Sequence, residues 1–377
     1  MNEIDSSKLE DNENKEIEDK KEQEKSRKEK QKKRQKRILI SSLILVALLC
    51  VLCVLLVFTV RSIVGSSASG GSASGQVEKT TVTPTTAPTA VPTDTPTVTP
   101  TATPIPTATP TPTPVTALTG DMLVSDYAYM IRVSDQSVIL DKNADARAYP
   151  ASVTKIMTAL VAIEHIPDLN TQITLSQEMI DRLYLLEASM AGFSGGEAPT
   201  AMDLLYGTML PSGADACDGL AVAVAGSEEA FVELMNQKAA ELGMTNTHFV
   251  TCSGLHDENH YTTSKDMAVL LLYALKNDTF RTVFTAKTYT STPNTYHPEG
   301  VYMESTLFSK VESTTLTNGG ELLGGKTGYT DEAGLCLASL ATVHDEEYIL
   351  VTMHAQGNHY TEQFHIQDAF TAYNALK

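Results

Sequence analysis

The stretch Pro150-Ala151-Ser152-Val153-Thr154-Lys155-Ile156-Met157-Thr158 decides how this chain is read. A proline just ahead of a helical pattern suits a first turn, where its missing N–H leaves no bond unmade. The pattern predicts a helix from about Ser152 to His165, ending before Pro167. Ser152 and Lys155 are three apart on one turn, so hydroxyl and amine can meet. The run that follows, Ile156, Met157, Ala159, Leu160, Val161 and Ala162, is apolar on nearly every face, as in a helix buried all round. An amine in such surroundings gives up its proton more readily than in water, and a neutral amine can take the proton of a serine. Alone, S-x-x-K recurs by chance, and a surface serine beside a snorkelling lysine is the plainer account of it.

Two further elements change that balance. About 60 residues on stands Leu210-Pro211-Ser212-Gly213-Ala214-Asp215-Ala216, and late in the chain Leu322-Leu323-Gly324-Gly325-Lys326-Thr327-Gly328-Tyr329-Thr330. The latter reads as a strand carrying a cation and a hydroxyl among glycines that allow close backbone approach. Three such elements in this order are far more specific than any one of them.

Between and around them the periodicities are mixed. Strand-like runs occur at Tyr127–Val133 and Ser137–Leu140, split by Ser134-Asp135-Gln136, and again near Gly324–Tyr329, Gly334–Thr342 and Tyr348–His354. Helical patterns cover Ala201–Leu210, Asp215–Ala225, Glu228–Leu242 and Thr361–Leu376. Strands at both ends with helices between argue for an α+β domain, its N-terminal hairpin joining the late strands in one antiparallel sheet flanked by helices.

Only residues 119–377 have the mixed composition of a folded domain. Residues 1–37 are a charged segment, with 13 Lys/Arg and 11 Asp/Glu. Residues 38–60, Ile38 to Val60, are apolar and uncharged; at 1.5 Å per residue they would span roughly 34 Å, enough for a hydrocarbon core. The basic flank Lys32-Lys33-Arg34-Gln35-Lys36-Arg37 predicts a single-pass transmembrane helix with a cytoplasmic N-terminus and everything after Val60 outside. A cleaved signal peptide is the competing reading, but the apolar run is long for one and no A-x-A site follows. Residues 61–118 run from Gly/Ser-rich to Thr/Pro-rich, with ten of the sixteen prolines between Thr80 and Pro114, and predict a disordered linker. Such a spacer would carry the domain away from the bilayer into a thick wall.

The net charge of −18 is uneven, because the domain alone carries −20. So acidic a domain excludes nucleic acid as a partner and leaves substrate binding to local charges. Cys217, Cys252 and Cys336 form no C-x-x-C pair and read as small buried residues; Cys50 and Cys53 fall in the apolar run.

The three elements together resemble those of the serine D-alanyl-D-alanine carboxypeptidases, the low-molecular-mass penicillin-binding proteins of peptidase family S11, since S-x-x-K, a second serine element and K-T-G are a signature of penicillin-recognising enzymes. Lys142-Asn143-Ala144-Asp145, Gly195-Gly196-Glu197, Gly254-Leu255-His256-Asp257 and His260-Tyr261-Thr262-Thr263 extend the similarity from about Tyr127 to Gln356. The resemblance implies a β-lactamase/D,D-peptidase-like fold and a carboxypeptidase acting on stem peptides that end in D-Ala-D-Ala, with β-lactams as covalent inhibitors. It implies Ser152 as nucleophile, Lys155 as general base and Ser212 as proton relay. Lys326 and Thr327 would bind the terminal carboxylate, and Gly328 and Tyr329 would complete the substrate strand. The backbone N–H groups of Ser152 and Tyr329 would form the oxyanion hole, and no metal or cofactor is implied. The N-terminal anchor would replace the C-terminal domain and amphipathic tether of some members.

One departure stands out: Ala214 occupies the third position of the second element, where the family usually has Asn. It leaves open a weak or inactive wall- or β-lactam-binding receptor. A class A β-lactamase would need a Glu-x-x-Leu-Asn loop, which no glutamate between Ser212 and Lys326 provides. His256 and His260, with Glu258 between, raise a zinc peptidase, but they sit in a loop and lack the H-E-x-x-H order.

Overall fold

Alternation of apolar side chains along the strands gives this domain a sheet with two buried faces. The computed structural model describes residues 118–377. The expected cytoplasmic segment 1–37, transmembrane helix 38–60 and all but the last residue of the linker 61–118 lie outside the described residues. Among the described residues no helix is long and apolar enough to cross a membrane.

Strands β1 (Tyr127–Arg132) and β2 (Val138–Lys142) form the N-terminal hairpin, and β5 (Glu321–Thr330), β6 (Gly334–Val343) and β7 (Glu346–Ala355) are the late strands. They assemble antiparallel in the order β2-β1-β7-β6-β5, so the hairpin joins the late strands through β1 on β7, as the sequence predicts. A separate short hairpin pairs β3 (Thr288–Thr290) with β4 (Tyr302–Glu304). The β5 strand is an edge, and an edge strand keeps backbone groups free for pairing with something else.

On one face Tyr129, Ile131, Cys336, Ala338, Ile349 and Val351 pack toward the helical layer. Their neighbours Met130, Leu337, Leu350 and Tyr348 face the other way, onto Ile366, Ala369 and Tyr373 of the last helix. The helices are α1 (Lys155–His165), α2 (Gln177–Leu185), α3 (Ala201–Met209), α4 (Ala214–Ala225), α5 (Glu228–Glu241), α6 (Ser264–Ala274), α7 (Asp278–Thr285) and α8 (Phe364–Asn374). Every residue of α1 from Lys155 to Ala162 is buried, as its all-round apolar pattern demands. The predicted helix start needs one correction. Ala151–Thr154 is a 3-10 turn, and the α-helix begins only at Lys155. Three residues per turn eclipse positions i and i+3, which brings Ser152 and Lys155 closer in register than an α-turn would.

Helices α2, α6 and α7 and the β3–β4 hairpin were not expected from periodicity. Each of these helices is started by a side-chain cap, from Ser176, Thr263 and Asn277 respectively. Cys217, Cys252 and Cys336 are free and buried, as expected.

The last helix also clamps the start of the domain. Asp368 accepts hydrogen bonds from the backbone N–H groups of Val124 (2.8 Å) and Ser125 (2.7 Å). Both Asp368 and Ser125 are buried. Asp368→Ala strands these donors and is expected to cost about 2–3 kcal/mol of folding free energy. Urea unfolding checks this, and a loss within about 0.5 kcal/mol, the range of an ordinary surface change, would contradict it.

Candidate active site

The site forms where edge strand β5 meets the turn that starts α1. Lys155 Nζ donates to Ser152 Oγ at 3.0 Å and to the carbonyl of Ser253. The lysine is 2% exposed and Ser152 half-buried, so the hydroxyl reaches the cleft while the amine behind it is sheltered. Ser253, which the sequence elements did not single out, immediately precedes Gly254 in a loop that is fixed from below. Thr158 Oγ1 donates to the carbonyl of Cys252. The Cys252 N–H donates to Glu228 at 3.1 Å, and the Cys252 thiol donates to Asp218 at 3.2 Å. Arg182 pairs with both of those carboxylates. Burial and the neighbouring Glu228 push the Asp218 carboxyl up to about 6.

Two glycines allow the close approach. A Cβ on Gly328 would sit 2.9 Å from Ser152 N and 3.0 Å from the carbonyl oxygen of Pro150, so β5 packs backbone to backbone against the turn. At Gly254 (φ +80°) a Cβ would lie 1.9 Å from the Ala151 carbonyl oxygen. Ala151 has φ 46° and Ser212 has φ 66°, a left-handed backbone that costs an L-residue about 1–2 kcal/mol. Strain at the residue before one hydroxyl and at the residue bearing the other marks both as positions held for a purpose. Ser212 Oγ is buried and has no hydrogen-bond partner among the described residues. A hydroxyl left so is available to a ligand.

The cleft has two lobes that share Ser152 and Tyr329. The smaller, about 90 Å³, is lined by Ser212, Thr306, Lys310, Thr327, Gly328 and His359 among others. The larger, about 410 Å³, is lined by Lys155, Glu187, Ser189, Ala214, Ser253 and Asp331 among others. Thr327 Oγ1 lies 2.6 Å from Thr306 Oγ1, and the Tyr329 ring meets His359 edge-on at 4.8 Å. Burial, then the hydrogen bond to Asp331, push the Tyr329 phenol up to about 12.

Ser152, Lys155, Ser212, Thr327, Gly328 and Tyr329 therefore converge. Lys326 does not reach the cleft wall: it is fully buried, and its Nζ donates to the Thr327 carbonyl at 2.8 Å. Alternation on β5 puts Lys326 on the face of Gly328, under the turn, and Thr327 on the other. Burial, then the charge of Lys155, push its ammonium well below the ordinary lysine value.

Sequence reasoning also missed Ser189, Thr306, Lys310 and His359, which reach the cleft from loops and short turns remote in sequence. The start of α4 fixes the first of these. The Ala214 N–H donates to the Ser189 carbonyl (2.7 Å), and Asp215 accepts from the N–H groups of Ala191 (2.7 Å), Gly192 and Phe193 (both 3.2 Å).

Residues 115–357 match the family model described as D-alanyl-D-alanine carboxypeptidase, peptidase S11. The chain is 33% identical over 214 residues to the D-alanyl-D-alanine carboxypeptidase DacF of Bacillus subtilis, covering 57% of this chain and 53% of that one. It is 32% identical over 234 residues to a D-alanyl-D-alanine carboxypeptidase of Streptomyces sp. strain K15, covering 60% and 79%. The crystal structure of the Streptomyces K15 DD-transpeptidase superposes with a TM-score of 0.59 at 28% identity, covering 67% of this chain and 97% of that one. The chain spans about half the length of DacF and of several other curated relatives it matches.

The loop histidines have another use than metal binding. His260 Nδ1 accepts from the N–H groups of Val250 (3.0 Å) and Thr251 (3.2 Å), which leaves Nε2 to donate to Thr154 Oγ1 at 2.8 Å. Both nitrogens are engaged, and His256 instead packs edge-on against Tyr149. Burial, reinforced by His248, pushes His260 down to about 4. The unfolded imidazole titrates near 6.5, so between about 6.5 and 4 the unfolded chain binds the extra proton. Stability from this group is thus complete above that window and lost as pH falls through it, by up to ~3 kcal/mol. His260→Gln should be less stable than wild type at pH 7, with the gap closing toward pH 4; denaturant titrations with parallel slopes would contradict this. Asp218 and His365, titrating in both proteins, cancel from the comparison.

Proposed function

The chain belongs to the D-alanyl-D-alanine carboxypeptidases of peptidase family S11, and on that premise we propose that it removes the terminal D-alanine from peptidoglycan stem pentapeptides through an acyl-enzyme on Ser152. The observation that carries the reading is the 3.0 Å contact between a cleft-facing hydroxyl and a sheltered amine, at the floor of two unequal lobes.

In this reading Lys155 takes the Ser152 proton as Oγ attacks the carbonyl of the penultimate D-alanine. The N–H groups of Ser152 and Tyr329 receive the developing oxyanion, a stabilisation of about 3–4 kcal/mol when one such donor is removed elsewhere. Support for the Tyr329 contribution is the edge position of β5, pressed onto the turn by Gly328. Ser212, with its unpaired hydroxyl, relays a proton to the departing amine of D-alanine. Water then attacks the ester, and Lys155, again acting as base, restores Ser152. Lys326 acts through its neighbour, holding the Thr327 carbonyl at 2.8 Å. Each step uses side chains, backbone N–H groups and water. A β-lactam, whose strained amide presents the same carbonyl, would acylate Ser152 in the same way.

Ala214 lines the larger lobe without a polar side chain, which keeps a slow or non-hydrolysing receptor as the second reading. The full-length chain incubated with a stem pentapeptide separates the two. We expect D-alanine release, abolished by Ser152→Ala and unchanged by a chelator. Penicillin acylation with no D-alanine released would sink the hydrolase and favour the receptor.

We also propose that Ile38–Val60 anchors the protein in the cell membrane, with the catalytic domain outside and residues 61–118 as spacer. The support is the uncharged run with its basic flank on one side only. Deleting Ile38–Val60 should release the chain from alkali-washed membranes; retention of the deleted form there would overturn the proposal.

A further inference from the structure

We propose that Lys310 is the cation that receives the carboxylate of the leaving D-alanine. This rests on the carboxypeptidase reading and deepens it.

A carboxypeptidase must recognise an anionic chain end, here in a domain of net charge −20 that repels anions. The two lobes of the cleft differ sharply in charge. The larger carries Glu187 and Asp331. The smaller is lined by no aspartate or glutamate, and Lys310 is the cation on its wall. The anionic end therefore belongs in the smaller lobe, beside Thr327 and Ser212, with the peptide stem in the larger. Lys326 does not line that lobe, and its Nζ donates to the Thr327 carbonyl instead.

Lys310 is held ready for such a partner. It ends a 3-10 turn, Phe308–Lys310, that places its side chain at the mouth of the lobe. Its Nζ donates to Gln363 Oε1 at 3.0 Å and to the His359 carbonyl at 3.4 Å, both neutral acceptors. No carboxylate lies within ion-pair distance of it among the described residues, a state it shares with Lys142, Arg147, Lys276 and Lys287, none of which lines either lobe. Gln363 is itself oriented: its Nε2 donates to the carbonyls of Asn358 (3.1 Å) and Thr361 (2.6 Å), which turns its oxygen toward the lysine. Lys310 is an exposed residue, and the desolvation it does feel lowers its ammonium from the ordinary value.

Other groups in the lobe favour the same ligand. His365 is 1% exposed, lines the lobe and has no partner for Nδ1 among the described residues. It opens the first turn of α8, an eleven-residue helix with no acidic residue in that turn and no side-chain cap from Gln363. A helix start left in this state favours an anion. The Thr306–Thr327 hydroxyl pair has one hydrogen to spare for it.

The test compares diacetyl-L-lysyl-D-alanyl-D-alanine with its C-terminal amide on the full-length chain. Lys310→Gln should lose roughly 10- to 100-fold in kcat/KM on the free acid, chiefly through KM, and at most about twofold on the amide. Lys310→Arg should retain most of the activity on the acid. Gln363→Glu, which sets a permanent carboxylate against Nζ, should reproduce the Lys310→Gln loss with Lys310 intact. Equal losses on acid and amide, or no loss on the acid, would overturn the proposal. If the wild type cleaves the terminal peptide bond of neither, releasing neither D-alanine nor D-alaninamide, the carboxypeptidase reading fails on its own. The anchor is then judged by acylation rates. A Lys310→Gln loss with benzylpenicillin but not with its methyl ester supports it, and equal rates on wild type and variant overturn it.

Discussion

Lys155 carries its amine into a place that water hardly reaches, where the Ser152 hydroxyl and the Ser253 carbonyl are its partners. A polar group is expensive there unless its bonds are made, and both of these are. The surroundings are built to hold that position. All-round burial of α1 fixes the backbone, and Cys252, Asp218, Glu228 and Arg182 fix the loop that supplies the carbonyl. Lys326 is fully buried as well, and burial, then the charge of Lys155, lowers its ammonium.

The same demand explains where the backbone is strained. A hydroxyl can stand 3.0 Å from the amine and still face the cleft only if the chain turns sharply before it, which Ala151 does at φ 46° and the 3-10 turn continues. Ser212 meets the cleft from the opposite side under similar constraint. Gly254 and Gly328 remove the side chains that would hold the two backbones apart. Packing elsewhere in the domain, with a sheet buried on both faces, supplies the stability that lets such turns persist.

Much of this was legible because it is local. The spacing of Ser152 and Lys155, the apolar faces of α1 and the glycines around Lys326 each report on a few neighbouring residues, and periodicity of two at both ends of the domain announced the sheet. What stayed hidden depends on contacts distant in the chain. The cleft residues Thr306, Lys310 and His359 lie in loops and a short turn that carry no pattern. Helix α7 is rich in Thr, Val and Phe, which favour strands, and it folds through its Asn277 cap and the burial of Phe280, Val283 and Phe284. The lysine of the third element was legible as a cation, but the face it occupies on β5 was not.

Peptide mapping by mass spectrometry after exposure to benzylpenicillin tests the central claim most directly, since it asks which atom becomes acylated. The account predicts a penicilloyl adduct on the peptide containing Ser152 and none on the peptide containing Ser212. An adduct elsewhere, or an unmodified Ser152 peptide after saturating exposure, would contradict it.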